Sequence, residues 1–326
     1  MHPSKPTYFA LIGVLAALGI TSCGGEAEWP PEVLGHGQGT AQNVILEKGR
    51  DSYGVYCIGC HGEAGDGKGP AARFLEPKPR DFKTCRLKFG GVPAGEAPSD
   101  ADYIHTITHG LKGTSMPSFR FVAADERQAI VAYLRKFCPK KETPGTSIQI
   151  DADPWARSPE AGIAEGAKVY YGYARCWSCH PAYVTKPEIA THLASFSMPA
   201  TGLRTNIYES ETKDSDWGSP IRAPDFLVDR IKTGTDLDVL VKIIGSGIGG
   251  TAMPTWAGGL KPRQLWGLAY YVSSVAQLRG TPEARALMEK MATQPAFDPT
   301  PPVPEQQPED AEAGAPDDGA EKGATP

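Results

Sequence analysis

Hydrophobic and polar positions along the chain predict helices far more often than strands. The clearest apolar stripes recur at helical spacing, once in each half of the sequence: Ile130, Val131, Leu134 and Phe137, then Leu265, Leu268, Ala269 and Val272. Convincing strand alternation is scarce in both halves. The many Gly (37) and Pro (30) residues favour short helices joined by long irregular loops. The pattern therefore predicts an all-α fold.

One apolar run stands apart from these stripes. It extends from Tyr8 to Ile20 behind Lys5, and it is shorter than the roughly 20 apolar residues that span a bilayer. A secretory signal over residues 1–22 is therefore expected. The run ends in Ile20-Thr21-Ser22-Cys23, which resembles a bacterial lipobox; an ordinary signal with an incidental cysteine is the alternative. Lipidation of Cys23 would anchor the chain on the periplasmic side of a bacterial membrane, and otherwise it would be periplasmic.

Composition divides the remaining chain. We expect a tether over residues 23–41, a first unit over 42–140, a linker over 141–158, a second unit over 159–280 and a tail over 281–326. After a possible short helix, the tail is Pro-rich and acidic and is expected to be mostly disordered. It also explains the formal net charge of −5, since residues 295–326 carry eight acids and one Lys. Without a strongly basic body, nucleic acid is not an expected partner.

The two units form an internal repeat. Each opens with a predicted helix that leads into a C-x-x-C-H motif, continues through a Pro/Asp/Phe element, reaches Gly-Thr-x-Met-Pro and closes on an amphipathic helix. The repeated segments are residues 57–61 and 176–180, residues 79–82 and 224–226, and residues 113–117 and 250–254. The repeat predicts two tandem domains built in the same way.

The C-x-x-C-H motifs are typical of covalent haem c attachment. Two thiols three positions apart can reach the two vinyl groups of one porphyrin, and the adjoining His then projects toward iron. Cys57 and Cys60 would bind one haem, and Cys176 and Cys179 a second. A thioredoxin-like redox pair or half of a zinc site is the alternative for C-x-x-C alone. The adjoining His, the duplication and the signal segment favour two haem c groups.

Each iron needs axial ligands. The motif histidines, His61 and His180, supply one each, and a Met thioether is the expected second ligand in an electron carrier. Met116 and Met253 occupy matching places in the repeat, each followed by Pro. The alternatives are Met198 in the second unit, a Met that only fills the core, or bis-His ligation by one of three other residues: His105, His109 and His192.

Two cysteines remain after the haem motifs and Cys23 are assigned. An exported protein meets an oxidising compartment, so Cys85 and Cys138 suggest one disulfide. A free buried thiol or a thiolate on iron is the alternative role.

Residues 42–280 resemble two tandem class I cytochrome c domains, as in bacterial di-haem cytochromes c. The resemblance rests on the motifs above, on Gly49 and Tyr53 before Cys57, and on the Gly-rich segment 62–70. It implies that a Pro carbonyl of that segment accepts a hydrogen bond from the ligand His. The second unit departs from the pattern: Gly166 and Tyr170 lie two residues too far from Cys176, and Pro187 is only a guess for the carbonyl. The insert over residues 185–220 is atypical.

The resemblance implies electron transfer rather than catalysis, with His and Met filling both axial positions. The expected partners are redox proteins: a quinol-oxidising complex or a dehydrogenase as donor, and a terminal oxidase or reductase as acceptor. One alternative is a di-haem peroxidase, which needs an iron with an open position. Another is a haem subunit of a larger respiratory complex.

Overall fold

The computed structural model describes residues 40–139 and 143–297, which form two helical halves. The N-terminal half contains α1 (Ala41–Tyr56), α2 (Ile58–His61), α3 (Asp100–His109) and α4 (Ala124–Leu134). The C-terminal half contains α5 (Pro159–Tyr171), α6 (Lys186–Ala194), α7 (Leu237–Ser246), α8 (Pro262–Gln277) and α9 (Pro282–Ala292). A short antiparallel ribbon pairs β1 (Thr212–Lys213) with β2 (Ile221–Arg222). The predicted signal, Cys23 and most of the tether lie outside the described residues, as does the chain from residue 298 onward.

Local sequence signals set the ends of the helices that precede the two Met loops, which are the Gly-Thr-x-Met-Pro segments over residues 113–117 and 250–254. Ser99 and Asp102 form a reciprocal capping box at the start of α3, which satisfies two backbone N–H groups that have no partner within the helix. Gly110 ends α3 and Gly247 ends α7, both at positive φ (66° and 77°), a conformation that glycine adopts without a Cβ penalty. The chain therefore turns sharply at the same point of each half.

The first helix of each half crosses the last helix of its core at a glycine. A Cβ added to Gly49 on α1 would collide with the backbone carbonyl of Ala129 on α4. A Cβ added to Gly166 on α5 would likewise collide with the carbonyl of Gly267 on α8. Glycine is needed at both crossings because the two backbones touch directly.

Each half has its own apolar core. The smaller cluster consists of buried residues of the N-terminal half: Tyr53, Phe82, Tyr103, Ile107, Ile130, Val131 and Leu134. The larger cluster belongs to the C-terminal half and is closed by α5, α7 and α8. Helix α9 buries Ala284 against this larger cluster and also buries Met291. The packed part of the chain therefore extends beyond residue 280, where the second unit was expected to end.

The segment between the halves is held by hydrogen bonds to both of them. Gly145 donates its N–H to the Ala97 carbonyl (2.9 Å), and Ile148 donates to the Gly91 carbonyl (2.8 Å). On the other side, the carbonyl of Asp151 accepts a bond of 2.9 Å from the Trp266 indole. In the parts of the chain that the structure describes, no helix has both the length and the apolar character needed to cross a bilayer.

Candidate haem sites

The first C-x-x-C-H segment follows α1 directly and forms a tight helical turn. The N–H of His61 donates to the carbonyl of Cys57 (2.9 Å). This bond places the histidine one helical turn after the first cysteine. Burial raises the pKa of the Cys57 thiol to about 12. Both cysteines of this turn are free thiols.

His61 is oriented by a backbone carbonyl and an aromatic ring. Its Nδ1 lies 3.0 Å from the carbonyl oxygen of Arg80, and its ring stacks on Phe82 with centroids 4.6 Å apart. A carbonyl can only accept, so Nδ1 carries the proton and Nε2 keeps its lone pair. Burial lowers the pKa of His61, which favours this neutral form. A neutral imidazole fixed in this way is suited to be a metal ligand through Nε2.

The second C-x-x-C-H segment repeats this geometry. The N–H of His180 donates to the Cys176 carbonyl (2.9 Å), its Nδ1–H donates to the Pro224 carbonyl (3.0 Å), and its ring stacks on Phe226 at 4.9 Å. Burial lowers the pKa of His180 and raises that of Cys176 to about 12.

The carbonyl partners differ from those expected. In the N-terminal half the partner is Arg80, not Pro70, which is exposed. In the C-terminal half it is Pro224, not Pro187, whose carbonyl accepts from the hydroxyl of Thr191 inside α6. Arg80 and Pro224 each stand directly before an Asp-Phe pair. Because the Phe of each pair stacks on the histidine, the preceding carbonyl reaches the Nδ1 edge of the same ring.

The two additional residues before Cys176 lie in the loop between the end of α5 and the motif. Helix α5 ends at Tyr171, and the chain passes through Arg175 at positive φ (49°) before the motif begins. The anchoring tyrosines consequently keep the same role: Tyr53 donates to the Gly62 carbonyl (2.7 Å), and Tyr170 donates to the Pro181 carbonyl (2.9 Å). Both acceptors are the residue after the motif histidine.

The Gly-rich segment after His61 holds the carbonyls of the first motif through backbone N–H groups. Gly67 donates to the His61 carbonyl (2.9 Å), and Gly69 donates to the Cys60 carbonyl (3.1 Å). A Cβ on Gly69 would lie 2.5 Å from the carbonyl oxygens of two motif residues, Ile58 and Gly59. Glycine is therefore required here by the close approach of two backbones.

Arg204, within the 185–220 insert, holds the second motif instead. Its guanidinium donates to the carbonyls of Trp177 (2.9 Å) and His180 (3.1 Å) and pairs with Glu211 at 3.0 Å. The N–H of Glu211 donates to the Cys179 carbonyl (2.8 Å). Sequence reasoning missed both residues, since a single Arg and Glu in an irregular insert carry no motif.

Met116 and Met253 lie in loops with the same hydrogen bonds. The Met116 carbonyl accepts from the N–H of Leu111 (3.0 Å), and the Met253 carbonyl accepts from the N–H of Ile248 (3.2 Å). In both loops the Thr two residues earlier accepts a bond from the Met N–H, at 3.1 Å for Met116 and 3.2 Å for Met253. Both methionines are half-buried, and Met253 packs against the core of the C-terminal half.

The rival ligands occupy different surroundings. Met198 follows Ser197, which has positive φ (55°), and its N–H caps α6 by donating to the Leu193 carbonyl (3.0 Å). His105 and His109 are exposed on α3, with ring centroids 4.3 Å apart. The ring of His192 stacks on Tyr171 at 5.4 Å. In the Met198 segment, the loop geometry shared by Met116 and Met253 is not repeated.

Cys85 and Cys138 are joined in a disulfide, with Cα atoms 5.2 Å apart. Cys85 follows the Phe82 turn, whose ring stacks on His61, and Cys138 follows the last turn after α4. The bridge therefore ties the His61-orienting turn to the helix that closes the core.

The two halves contact each other along an interface, here called the seam. Two equivalent backbone hydrogen bonds cross it. The N–H of Lys112 donates to the Lys232 carbonyl (2.7 Å), and the N–H of Gly249 donates to the Lys88 carbonyl (3.0 Å). Each donor lies four residues before the loop methionine of its own half. Each acceptor lies in the opposite half, six residues after the phenylalanine of that half's Asp-Phe pair. This reciprocity indicates that the halves are related by an approximate two-fold axis.

Basic side chains gather at this seam. The guanidinium of Arg80 lies 4.0 Å from the ring centroid of Trp217, across the seam. Burial, with repulsion from Lys232 and Arg80, lowers the pKa of Lys88 to about 8. Among the described residues, Lys88 forms no ion pair, and the buried Nε1 of Trp217 has no hydrogen-bond acceptor. Buried donors of this kind suit a carboxylate group.

These features fit haem c. Each half offers two free thiols, a neutral histidine with an available Nε2 and a methionine loop, and the seam offers donors for the carboxylates that haem carries. Among the described residues, no cluster of three or more His, Cys, Asp or Glu side chains could hold a bare metal ion. Haem held in this way supplies a one-electron couple at iron.

Comparison with known proteins points in the same direction. Residues 45–134 match the family described as cytochrome C oxidase, cbb3-type, subunit III. A solved chain of the Kuenenia stuttgartiensis reducing HAO-like protein complex Kustc0457/Kustc0458 is 30% identical. The alignment covers 71% of this chain and 96% of that one, with a TM-score of 0.57. A search of curated proteins found no match.

Proposed function

The chain belongs to the cytochrome c family, a family of covalent haem proteins that transfer electrons, and from this premise we propose that it carries two haem c groups. Cys57 and Cys60 hold the first group and Cys176 and Cys179 the second. His61 and Met116 ligate one iron, and His180 and Met253 ligate the other. Both halves are then cytochrome c domains in tandem.

The observation that carries this proposal is the repetition of the histidine geometry. His61 and His180 each donate from Nδ1 to a backbone carbonyl at 3.0 Å and each stack on a phenylalanine. Orienting both rings in this way stabilises the tautomer that presents Nε2 to iron. The C-terminal half lies outside the matched family segment, so this shared geometry is its main support.

The protein acts as an electron carrier and not as an enzyme. Two equivalent Met loops support six-coordinate iron in both halves, which leaves no position for a substrate. A di-haem peroxidase would instead need one iron with an open position. The chain is exported, anchored through lipidated Cys23 on the periplasmic side of a bacterial membrane, and exchanges electrons with redox proteins of a respiratory chain: a quinol-oxidising complex or dehydrogenase as donor, and a terminal oxidase or reductase as acceptor.

Membership of a larger redox complex is a second candidate. It is favoured by the similarity to a chain of the HAO-like protein complex from Kuenenia. The two candidates differ in how the protein behaves in the cell: a subunit co-purifies with a haem enzyme in fixed ratio, whereas a carrier is isolated alone.

Intact mass and ferric spectra test the proposal. The mature protein should exceed the mass of its polypeptide by two haems that survive acid extraction. Both ferric irons should be low-spin, and neither ferrous iron should bind carbon monoxide readily. A single haem would contradict the di-haem assignment, and a high-spin iron in the native protein would favour the peroxidase.

A further inference from the structure

The 185–220 insert places one fully charged side chain against the backbone of the second C-x-x-C-H turn. Arg204 makes five hydrogen bonds: four to backbone carbonyls and one to the Glu211 carboxylate, at distances from 2.6 to 3.1 Å. Its side chain is only 16% exposed. A guanidinium with this many acceptors is held in one place, since its donors are fixed in a rigid fork.

The two halves therefore hold equivalent carbonyls with different chemistry. The carbonyl of His61 accepts from the neutral N–H of Gly67, whereas that of His180 accepts from the cationic Arg204. Cys60 and Cys179, at the same position of the two motifs, both receive a backbone N–H, from Gly69 and Glu211. Among the hydrogen bonds to these two motif turns, the contact of a charged side chain with the histidine carbonyl occurs in the second turn, through Arg204.

Resting on the proposed function, we propose that Arg204 is a positioning residue for His180 and that its charge raises the reduction potential of the second haem. When the ferric iron takes one electron from a redox partner, the site loses one positive charge. A cation fixed near the ligand histidine is repelled more by the ferric than by the ferrous state, so it favours reduction.

Glu211 opposes this effect and gives the proposal its sharpest test. Its carboxylate lies 3.0 Å from Arg204 and 3.7 Å from Lys213, which is half exposed. Removing the arginine charge leaves Glu211 as a nearby anion, which stabilises the ferric state. Removing the carboxylate charge leaves the arginine unopposed. The two replacements should therefore shift the same potential in opposite directions.

The experiment is a spectroelectrochemical titration of the purified di-haem protein and its variants. Arg204→Gln should lower the potential of the second haem, Glu211→Gln should raise it, and the first haem should stay unchanged in both. Arg204→Lys keeps the positive charge but loses the planar set of guanidinium donors. It should retain most of the potential while sharing the loss of stability of Arg204→Gln. This result separates the charge from the hydrogen bonds.

Arg222→Gln is the matched control. Arg222 also lies beside the insert and binds Asp229 (2.7 Å) and Ser210 (3.1 Å), but it makes no bond to the motif turn. It should leave both potentials in place. Equal shifts of the same sign for the Arg204 and Glu211 variants, or no shift, would overturn the proposal. The wild-type mass tests the proposed function separately, because it counts the haems whatever their potentials.

Discussion

The carbonyl of Lys88 accepts a hydrogen bond of 3.0 Å from the N–H of Gly249, which joins the Asp-Phe segment of the N-terminal half to the Met253 loop of the C-terminal half. The reciprocal bond from Lys112 to Lys232 joins the same elements the other way round. Each candidate methionine ligand thus lies in a loop that the opposite half supports. This arrangement fixes both methionine loops at the seam between the halves.

The helix crossing at Gly49 should not accept a side chain. Gly49→Ala places a Cβ against the Ala129 carbonyl, and overpacking of this kind costs roughly 1–3 kcal/mol. Gly54→Ala on the same helix is the control, because a Cβ there meets nothing within 4 Å and alanine favours the helix by about 1 kcal/mol. Urea unfolding should show a loss for the first variant and a small gain for the second. A loss of equal size in both would contradict the crossing.

Met253 should be the ligand of the second iron. Met253→Ala should open that iron, which would turn high-spin, bind carbon monoxide readily and drop in potential, while the first haem keeps its spectrum. Met198→Ala is the matched control: its N–H caps α6 through the backbone, so both spectra should persist. If only the Met198 variant perturbed the haem, the equivalence of the two Met loops would be misleading.

The disulfide should stabilise the N-terminal half. Cys85 and Cys138 are 53 residues apart, and closing a loop of this length is worth about 4 kcal/mol in the chain-entropy model. Replacing both cysteines by Ala should lower the free energy of unfolding by up to that amount. Non-reducing peptide mapping of the wild type should recover the two peptides as one species. Two separately alkylated cysteines would refute the pairing.

The indole N–H of Trp217 should find its partner in the haem-loaded protein. If a haem carboxylate accepts it, Trp217→Phe should cost roughly 1.5–3 kcal/mol of unfolding free energy beyond the loss of ring contacts, as for a hydrogen bond to a charged group. Trp266→Phe calibrates the measurement, because it removes a known bond to the neutral Asp151 carbonyl. An N–H that stays unpaired would instead make Trp217→Phe the milder of the two.

The chemistry of the candidate sites is local in sequence, and for that reason the sequence by itself determined it. Two thiols and a histidine within five residues share one turn whatever surrounds them, so residues 57–61 and 176–180 indicate haem attachment without a fold. The helices follow the same logic, since α4 and α8 appear as apolar stripes at helical spacing. Glycine and proline at the Met loops also mark their turns locally.

The carbonyls that orient the histidines were decided only by the tertiary structure. Arg80 lies 19 residues after His61 and Pro224 lies 44 after His180, and a backbone carbonyl leaves no mark on residue type. Sequence reasoning therefore chose nearby prolines, Pro70 and Pro187. The chain reaches the histidine by a route that depends on the packing of the Asp-Phe turn.

The role of Arg204 and the contacts at the seam also depend on the tertiary structure, for the same reason. Nothing in the sequence around Arg204 distinguishes it from a solvated surface cation, and its role arises because the insert folds back on the second motif. Lys88 and Lys232 lie at the seam, where the carbonyl of each accepts a backbone hydrogen bond from the opposite half. Contacts between segments far apart in the chain depend on how the cores pack, and no local pattern of residues encodes that packing.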